Sequence, residues 1–272
     1  MSPPDLAALI APWLDRWRLT PDGAPFATRT SILAPVVHAG APAMLKIATA
    51  AEERRGADLM VWYDGDAAAR VLAGEGDALL LERATGSANL KALAHRDDDQ
   101  ATDIICGVVA KLHRNRAASP PRTLIPLSEW FRSLIIAAQR GGRLFAAALS
   151  CAEALLAHQR DVVPLHGDIH HGNILDADSR GWLAIDPKGL IGERAFDYAN
   201  LFCNPDAEVA LKPDRLERQL ARVAGAARLD GDRLRKWVFA YAGLSAAWAL
   251  EEGEDPELAL ALARRLAENR AG

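Results

Sequence analysis

Pro164-Leu165-His166-Gly167-Asp168-Ile169-His170-His171-Gly172-Asn173-Ile174-Leu175, followed by Leu183-Ala184-Ile185-Asp186, is the stretch on which the reading of this chain turns. Asp168 and Asn173 are five positions apart, and Asn173 and Asp186 thirteen. A carboxylate, an amide and a second carboxylate are thereby set on short turns between apolar strands. Phosphoryl transfer from a magnesium nucleotide needs such a set: one group to orient the attacking hydroxyl and two oxygen donors for the metal. Asp168 would accept the hydroxyl proton, its main work being orientation because the transition state is loose. Asn173 would offer its amide oxygen to the ion, and Asp186 its carboxylate. Isolated Asp and Asn residues more often bond backbone in turns; it is the conjunction of both spacings with flanking strands that favours the chemical reading. Zinc held by His166, His170, His171 and Asp168 is a rival, but no distant Cys/His pair completes such a site. His166 reads instead as a bond to backbone around the loop, and His170 and His171 as solvent-facing.

Upstream, Lys46 interrupts the apolar strand Met44-Leu45-Lys46-Ile47 and requires an anionic partner. Glu52 and Glu53, in the first turn of a predicted helix over residues 51–62, are the nearest, with Glu53 preferred. Such a pair would present the ammonium group to nucleotide phosphates. The strand Leu79-Leu80-Leu81-Glu82-Arg83-Ala84 stops abruptly, and the backbone of Glu82 and Ala84 could bond an adenine edge. The turn Thr28-Arg29-Thr30-Ser31 is the candidate phosphate cover, since no Gly-rich loop is present; Ser31 belongs to it. Asp197, in Phe196-Asp197-Tyr198-Ala199-Asn200, either caps a following helix or holds the backbone of the 166–173 loop.

The rest of the chain frames these motifs. A predicted helix over residues 5–17 precedes two hairpins, one turning at His38-Ala39-Gly40-Ala41-Pro42 and one at Gly74-Glu75-Gly76-Asp77. Beyond Ala84 the periodicity becomes helical: residues 101–114, 128–139, 143–159, 215–227, 232–251 and 256–268, with two or three short strands around the loops. This is an α+β chain with a small antiparallel-sheet lobe over residues 1–83 and a mainly helical lobe over 84–272. Half of the 272 residues are hydrophobic and a quarter charged, enough to bury a core. A net charge of −4 gives no support for nucleic-acid binding and suits a cationic small substrate. Cys106, Cys151 and Cys203 have neither zinc nor disulfide-framework spacing, which points to reduced thiols and the cytoplasm. No signal peptide or membrane span is visible.

His166-Gly167-Asp168 through Asn173, with Ile185-Asp186-Pro187, resembles the small-molecule branch of the protein-kinase-like fold, the aminoglycoside phosphotransferases. Asp186-Pro187-Lys188-Gly189, Gly192-Glu193 and the 196–200 run are similar to the aminoglycoside/hydroxyurea resistance kinases, a subgroup that includes streptomycin 6-phosphotransferases. The resemblance implies a two-lobed kinase fold, ATP and Mg2+. It implies Asp168 as catalytic base, Asn173 and Asp186 as metal ligands, Lys46 with Glu53 at the phosphates, and Glu82 and Ala84 at the adenine. The acceptor would be a hydroxylated, amino-bearing small molecule, with Asp197, Glu251 or Glu252 binding its cationic groups. Pro187 in place of Phe-Gly after Asp186, and the lack of an Ala-Pro-Glu segment, argue against a protein substrate. A sugar or amino-sugar kinase on the same scaffold is the alternative; a nucleotide-binding module without catalysis fits poorly with the intact Asp168, Asn173 and Asp186.

Overall fold

The computed structural model describes residues 6–268. A six-stranded antiparallel sheet forms the smaller lobe, with spatial order Thr20–Pro21, Ser31–His38, Ala41–Ala48, Ala78–Glu82, Val71–Glu75; Phe26–Ala27 also pairs with Ser31–His38. Both predicted hairpins form, with tighter turns than expected. His38 pairs with Ala41, so the first turn is Ala39-Gly40, with φ of 49° and 79°. Positive φ at both central residues matches the right-handed twist of the strands. Glu75 pairs with Ala78, which leaves Gly76-Asp77 as the second turn. The first helix runs Leu6–Arg16; Asp5, its predicted start, lies outside the described residues. Ile10, Val36, Leu45 and Leu80 share an apolar cluster between this helix and the sheet.

The helix Ala51–Tyr63 lies on the other side, where Leu59, Met60 and Tyr63 join the main core of the helical lobe. Its docking is unusually close. A Cβ built on Gly56 would come within 2.0 Å of the Pro187 carbonyl oxygen, and one on Gly189 within 2.9 Å of the Arg55 backbone. Glycine at both positions lets the helix backbone rest on the segment that follows Asp186.

In the helical lobe, Gly231–Glu252 is the central helix. Trp237 and Tyr241 on it meet Phe131 and Phe196 in tilted and edge-to-face contacts, with ring centroids 5.7–6.3 Å apart. This packing explains one difference from expectation. The predicted helix over 128–139 is broken at Phe131 into Leu127–Trp130 and Arg132–Arg140, because burying that ring turns the backbone out of helical geometry. A short helix, Leu90–Arg96, was not predicted; Asn89 caps it and Asp97 caps the next, Asp98–Leu112, three residues before the expected start. The 166–173 loop lies between the strands Val162–Leu165 and Ile174–Asp176. Val162–Leu165 pairs with Leu190–Glu193, and Ile174–Asp176 with Trp182–Ala184. Ala184 also exchanges backbone bonds with Ala67 and Ala69, which fixes the strand leading to Asp186 beneath the sheet lobe. Among the described residues no helix is long and apolar enough to cross a membrane, and Cys106, Cys151 and Cys203 are buried.

Deep in the helical lobe, Arg215 is almost fully buried and forms a two-pronged pair with Asp98 at 2.9 and 3.0 Å; Gln219 adds a bond of 2.6 Å. Burial pushes the Asp98 carboxyl up, but the bonds and charge of Arg215 outweigh it, and the group ends below its ordinary value. Stability from this pair is therefore fully present above about pH 3.9, the unfolded Asp value, and is lost as pH falls through the lower folded value. Asp98→Ala, which leaves the guanidinium buried and unpaired, is expected to cost about 3–5 kcal/mol in urea unfolding at pH 7. That loss should shrink when the same titration is run in strong acid.

Candidate active site

Asp168 sits at the centre of a hydrogen-bonded cradle. Asn173 Nδ2 donates to Asp168 Oδ2 at 3.1 Å and to its carbonyl at 2.9 Å, and Asn200 Nδ2 donates to Asp168 Oδ1 at 3.0 Å. Both carboxylate oxygens are thus oriented by neutral amides, which leave them able to accept a further proton. The cradle is anchored from behind. Asn204 donates to the Asn200 side-chain oxygen at 2.8 Å, and the Asn204 carbonyl accepts from Arg215 at 3.1 Å. A continuous chain of polar contacts therefore runs from the buried Asp98–Arg215 pair to Asp168.

Asp197 holds the loop itself. Its Oδ1 accepts from Gly167 N at 2.7 Å and its Oδ2 from His166 N at 2.9 Å, with His113 Nε2 at 2.8 Å. It lies inside the 3-10 segment Arg194–Cys203, so it caps no helix. It also cannot be a substrate carboxylate: it is buried under the loop with both oxygens engaged, whereas the cleft opens on the loop's far side. His166 bonds Ile185 O through Nε2 at 2.8 Å and accepts from Asp168 N at its other nitrogen. Burial pushes its pKa down, against the charges of Asp197 and Asp168, in keeping with a neutral ring that donates from one nitrogen and accepts at the other. His171 corrects the expectation of a solvent-facing ring. It is buried away from Asp168, and burial, followed by the charge of Arg215, pushes its pKa down to about 4. His170 stays half-buried, 3.9 Å from Asp168. The loop's imidazoles therefore diverge rather than converge on a common metal.

Asp186 takes φ of 59°, a left-handed conformation that a non-glycine residue adopts only where its surroundings enforce it. Here the enforcing partners are Lys46, bonded to Asp186 Oδ1 at 2.7 Å, and the strand bonds at Ala184. Lys46 also touches Glu53 Oε2, so the partner is Glu53 and not Glu52, which lines the neighbouring cleft. Burial would lower the Lys46 pKa, but Asp186 and then Glu53 outweigh it and raise the group; Glu53 is lowered in turn, with Lys46 overcoming its burial. With Lys46 on Oδ1, Asp186 keeps Oδ2 as a donor; with its nitrogen turned to Asp168, Asn173 keeps its amide oxygen. A neutral and an anionic oxygen suit a hard divalent ion that takes its other ligands from phosphates and water.

The turn Thr28-Arg29-Thr30-Ser31 closes over this pair. Thr30 Oγ1 bonds Glu53 Oε1 at 2.8 Å, and Arg29 reaches Glu252 across the cleft. Ser31 is buried, and its N–H is taken by Thr28 Oγ1 at 3.1 Å, so Arg29 and Thr30, rather than Ser31, are the turn's outward groups. Glu82 has its side chain on Arg180 and its N–H on Arg70 O, and Ala84 follows directly where the sheet ends.

The cleft that adjoins Asp168 has a volume of about 620 Å³. Glu251 and Glu252 line it, joined by Glu52, Glu129, Glu254 and Asp255; among the described residues, Arg29, Arg132 and Lys188 are the Lys and Arg that line it. Trp130 and Trp248 form an aromatic wall with rings 5.6 Å apart. No sequence motif assigns a role to Lys188, Asn200, Glu129, Glu254 or Asp255. Lys188 and Asn200 lie within the quoted runs around Asp186 and Asp197, which is the one signal that could have found them; the acidic residues come from separate elements.

A sequence model of the aminoglycoside/hydroxyurea antibiotic resistance kinase family matches residues 16–253. The chain is 47% identical to a streptomycin 3''-kinase of Klebsiella pneumoniae, over 88% of this chain and 92% of that one. It is 31% identical to a streptomycin 6-kinase of Streptomyces glaucescens, over 91% and 84% respectively. Among solved structures, a thermostable mutant of the aminoglycoside phosphotransferase APH(4)-Ia in ternary complex with ADP and hygromycin B superposes with a TM-score of 0.66 at 16% identity, covering 97% of this chain and 99% of that one. The fold is thus the two-lobed protein-kinase-like fold, and the chain belongs to the aminoglycoside/hydroxyurea antibiotic resistance kinase family.

Proposed function

We propose that this protein is a cytoplasmic, ATP- and Mg2+-dependent O-phosphotransferase acting on a streptomycin-like aminoglycoside. The observation that carries the reading is the acidic cleft converging on Asp168: six carboxylates besides Asp168 face three cationic side chains there. A substrate bearing guanidinium or ammonium groups finds an excess of complementary charge, and Trp130 and Trp248, packed edge to face, offer apolar surface to its rings. The greater identity to a streptomycin 3''-kinase than to a streptomycin 6-kinase favours the 3''-hydroxyl as acceptor.

In this reading the lobes divide after Arg83. The Glu82 carbonyl and Ala84 N–H receive the adenine, and Lys46, held by Glu53, meets the phosphates. Asn173 and Asp186 would hold the magnesium ion, which supplies charge neutralisation at the phosphates when bound. Asp168, oriented by Asn173 and Asn200, accepts a hydrogen bond from the acceptor hydroxyl and takes its proton as the phosphorus–oxygen bond forms. The cover of Arg29 and Thr30 keeps water from competing as acceptor.

A coupled assay over streptomycin, other aminoglycosides, hydroxyurea and amino sugars tests the substrate; turnover of amino sugars alone would replace this reading. Asp168→Asn is expected to lower kcat by about 10²–10⁴-fold, with ADP affinity by calorimetry unchanged, because Asp168 is not among the proposed metal ligands. Glu251→Gln should raise the KM for streptomycin by up to about 5-fold, since an exposed contact is worth up to about 1 kcal/mol. The KM for ATP should not follow.

A further inference from the structure

We propose that Lys188 is a catalytic residue that neutralises the phosphoryl group in flight; this rests on the phosphotransferase reading above. Its ammonium group lies between the two halves of the site. Glu53 divides its carboxylate, with Oε2 on Lys46 and Oε1 3.4 Å from Lys188 Nζ. On its other side Lys188 Nζ is 4.0 Å from Asp168 Oδ2. The same side chain lines the acidic acceptor cleft. A phosphoryl group leaving a nucleotide held at Lys46 for a hydroxyl held at Asp168 has to pass this point.

The manner in which the lysine is held fits a working part better than a structural tie. Its backbone is fixed: Lys188 N donates to His166 O at 2.6 Å, and Gly189 beyond it rests against the Arg55 backbone. Its ammonium group is held loosely, because contacts of 3.4 and 4.0 Å are long beside the 2.7 Å bond of Lys46 to Asp186. Among the described residues only Glu53 is within hydrogen-bonding reach, so donors remain for a third partner. The Asp-to-Asn run 168–173 contains no lysine or arginine, so the loop itself supplies no permanent cation to the transferring group.

During transfer the acceptor oxygen bonds to the γ-phosphorus and its proton passes to Asp168. The bond from that phosphorus to the β,γ-bridging oxygen breaks, with its electron pair leaving on ADP. Lys188 makes and breaks no covalent bond. It donates to an equatorial oxygen, where charge accumulates in the loose transition state.

The test compares wild type, Lys188→Met and Lys188→Arg. Steady-state kinetics are measured with ATP and streptomycin, and calorimetry follows ADP alone and ADP with aluminium fluoride, a stand-in for the group in flight. Lys188→Met should lower kcat by about 10²-fold or more and weaken the aluminium fluoride complex by a similar factor. ADP affinity and the KM for ATP should stay within about 3-fold, and Lys188→Arg should recover part of the loss. A kcat within 3-fold of wild type in Lys188→Met would overturn the proposal. So would ADP alone weakening as much as the aluminium fluoride complex, which would make Lys188 a brace for Glu53 and Lys46. Lys188→Gln submits to the same two criteria should the Met variant fail to fold. Because the calorimetric comparison needs no turnover, it decides the role of Lys188 even where streptomycin proves the wrong acceptor, an outcome that wild-type kinetics report separately.

Discussion

One buried carboxylate decides whether the loop carrying Asp168 has a shape at all. Residues 166–168 have too little regular structure to satisfy their own backbone donors, and an unpaired buried N–H is costly. Asp197 accepts from two of them, His166 N and Gly167 N, and from His113, which caps the C-terminal end of the helix Asp98–Leu112. An anionic acceptor makes these bonds stronger than neutral ones and gives the loop a single register against the helical lobe. The orientation of Asp168 by Asn173 and Asn200, the place of His166 under Ile185, and the reach of Lys188 toward the cleft all presuppose that register.

The electrostatics of the site follow from sharing. Glu53 serves Lys46, Lys188 and Thr30; Asp186 serves Lys46 with one oxygen and keeps the other; Asp168 lies within reach of two amides, the Lys188 ammonium group and the His170 ring. Buried and half-buried charges are tolerable here because each has a partner, and their partners are groups a nucleotide would rearrange rather than create. The acidic cleft is a separate field beside them, sparse in cations. In the proposed reading, the division would keep an anionic phosphate chain on the lysine side and a cationic acceptor on the carboxylate side.

Much of this was legible because the chemistry is local in sequence. The Asp168–Asn173–Asp186 spacing, the Lys46 strand and the first-turn acidic pair are patterns within one or two elements, and the structure sets these residues around one centre. The α+β class was legible from the hairpins before Ala84 and the helical periodicity beyond it. Side-chain pairings between distant elements were not. Asp197 on His113, Glu252 on Arg29 and Glu82 on Arg180 depend on where helices and strands dock, which periodicity does not encode. The break at Phe131 has the same origin, a ring that packs on Phe196 and Trp237 in preference to continuing a helix. The burial of His171 could not be read from a loop composition that looks polar throughout.

The glycine contacts beneath the Ala51–Tyr63 helix carry a consequence for how such a protein is controlled. With Gly56 against the Pro187 carbonyl and Gly189 against the Arg55 backbone, that helix is seated main chain to main chain. Tilting it outward would strip both surfaces at once and strand Lys46 beside Asp186 alone. The pairing of Lys46 with Glu53 is therefore built in at folding, as a keystone is, and any control that swung this helix would have to unseat both glycine contacts first.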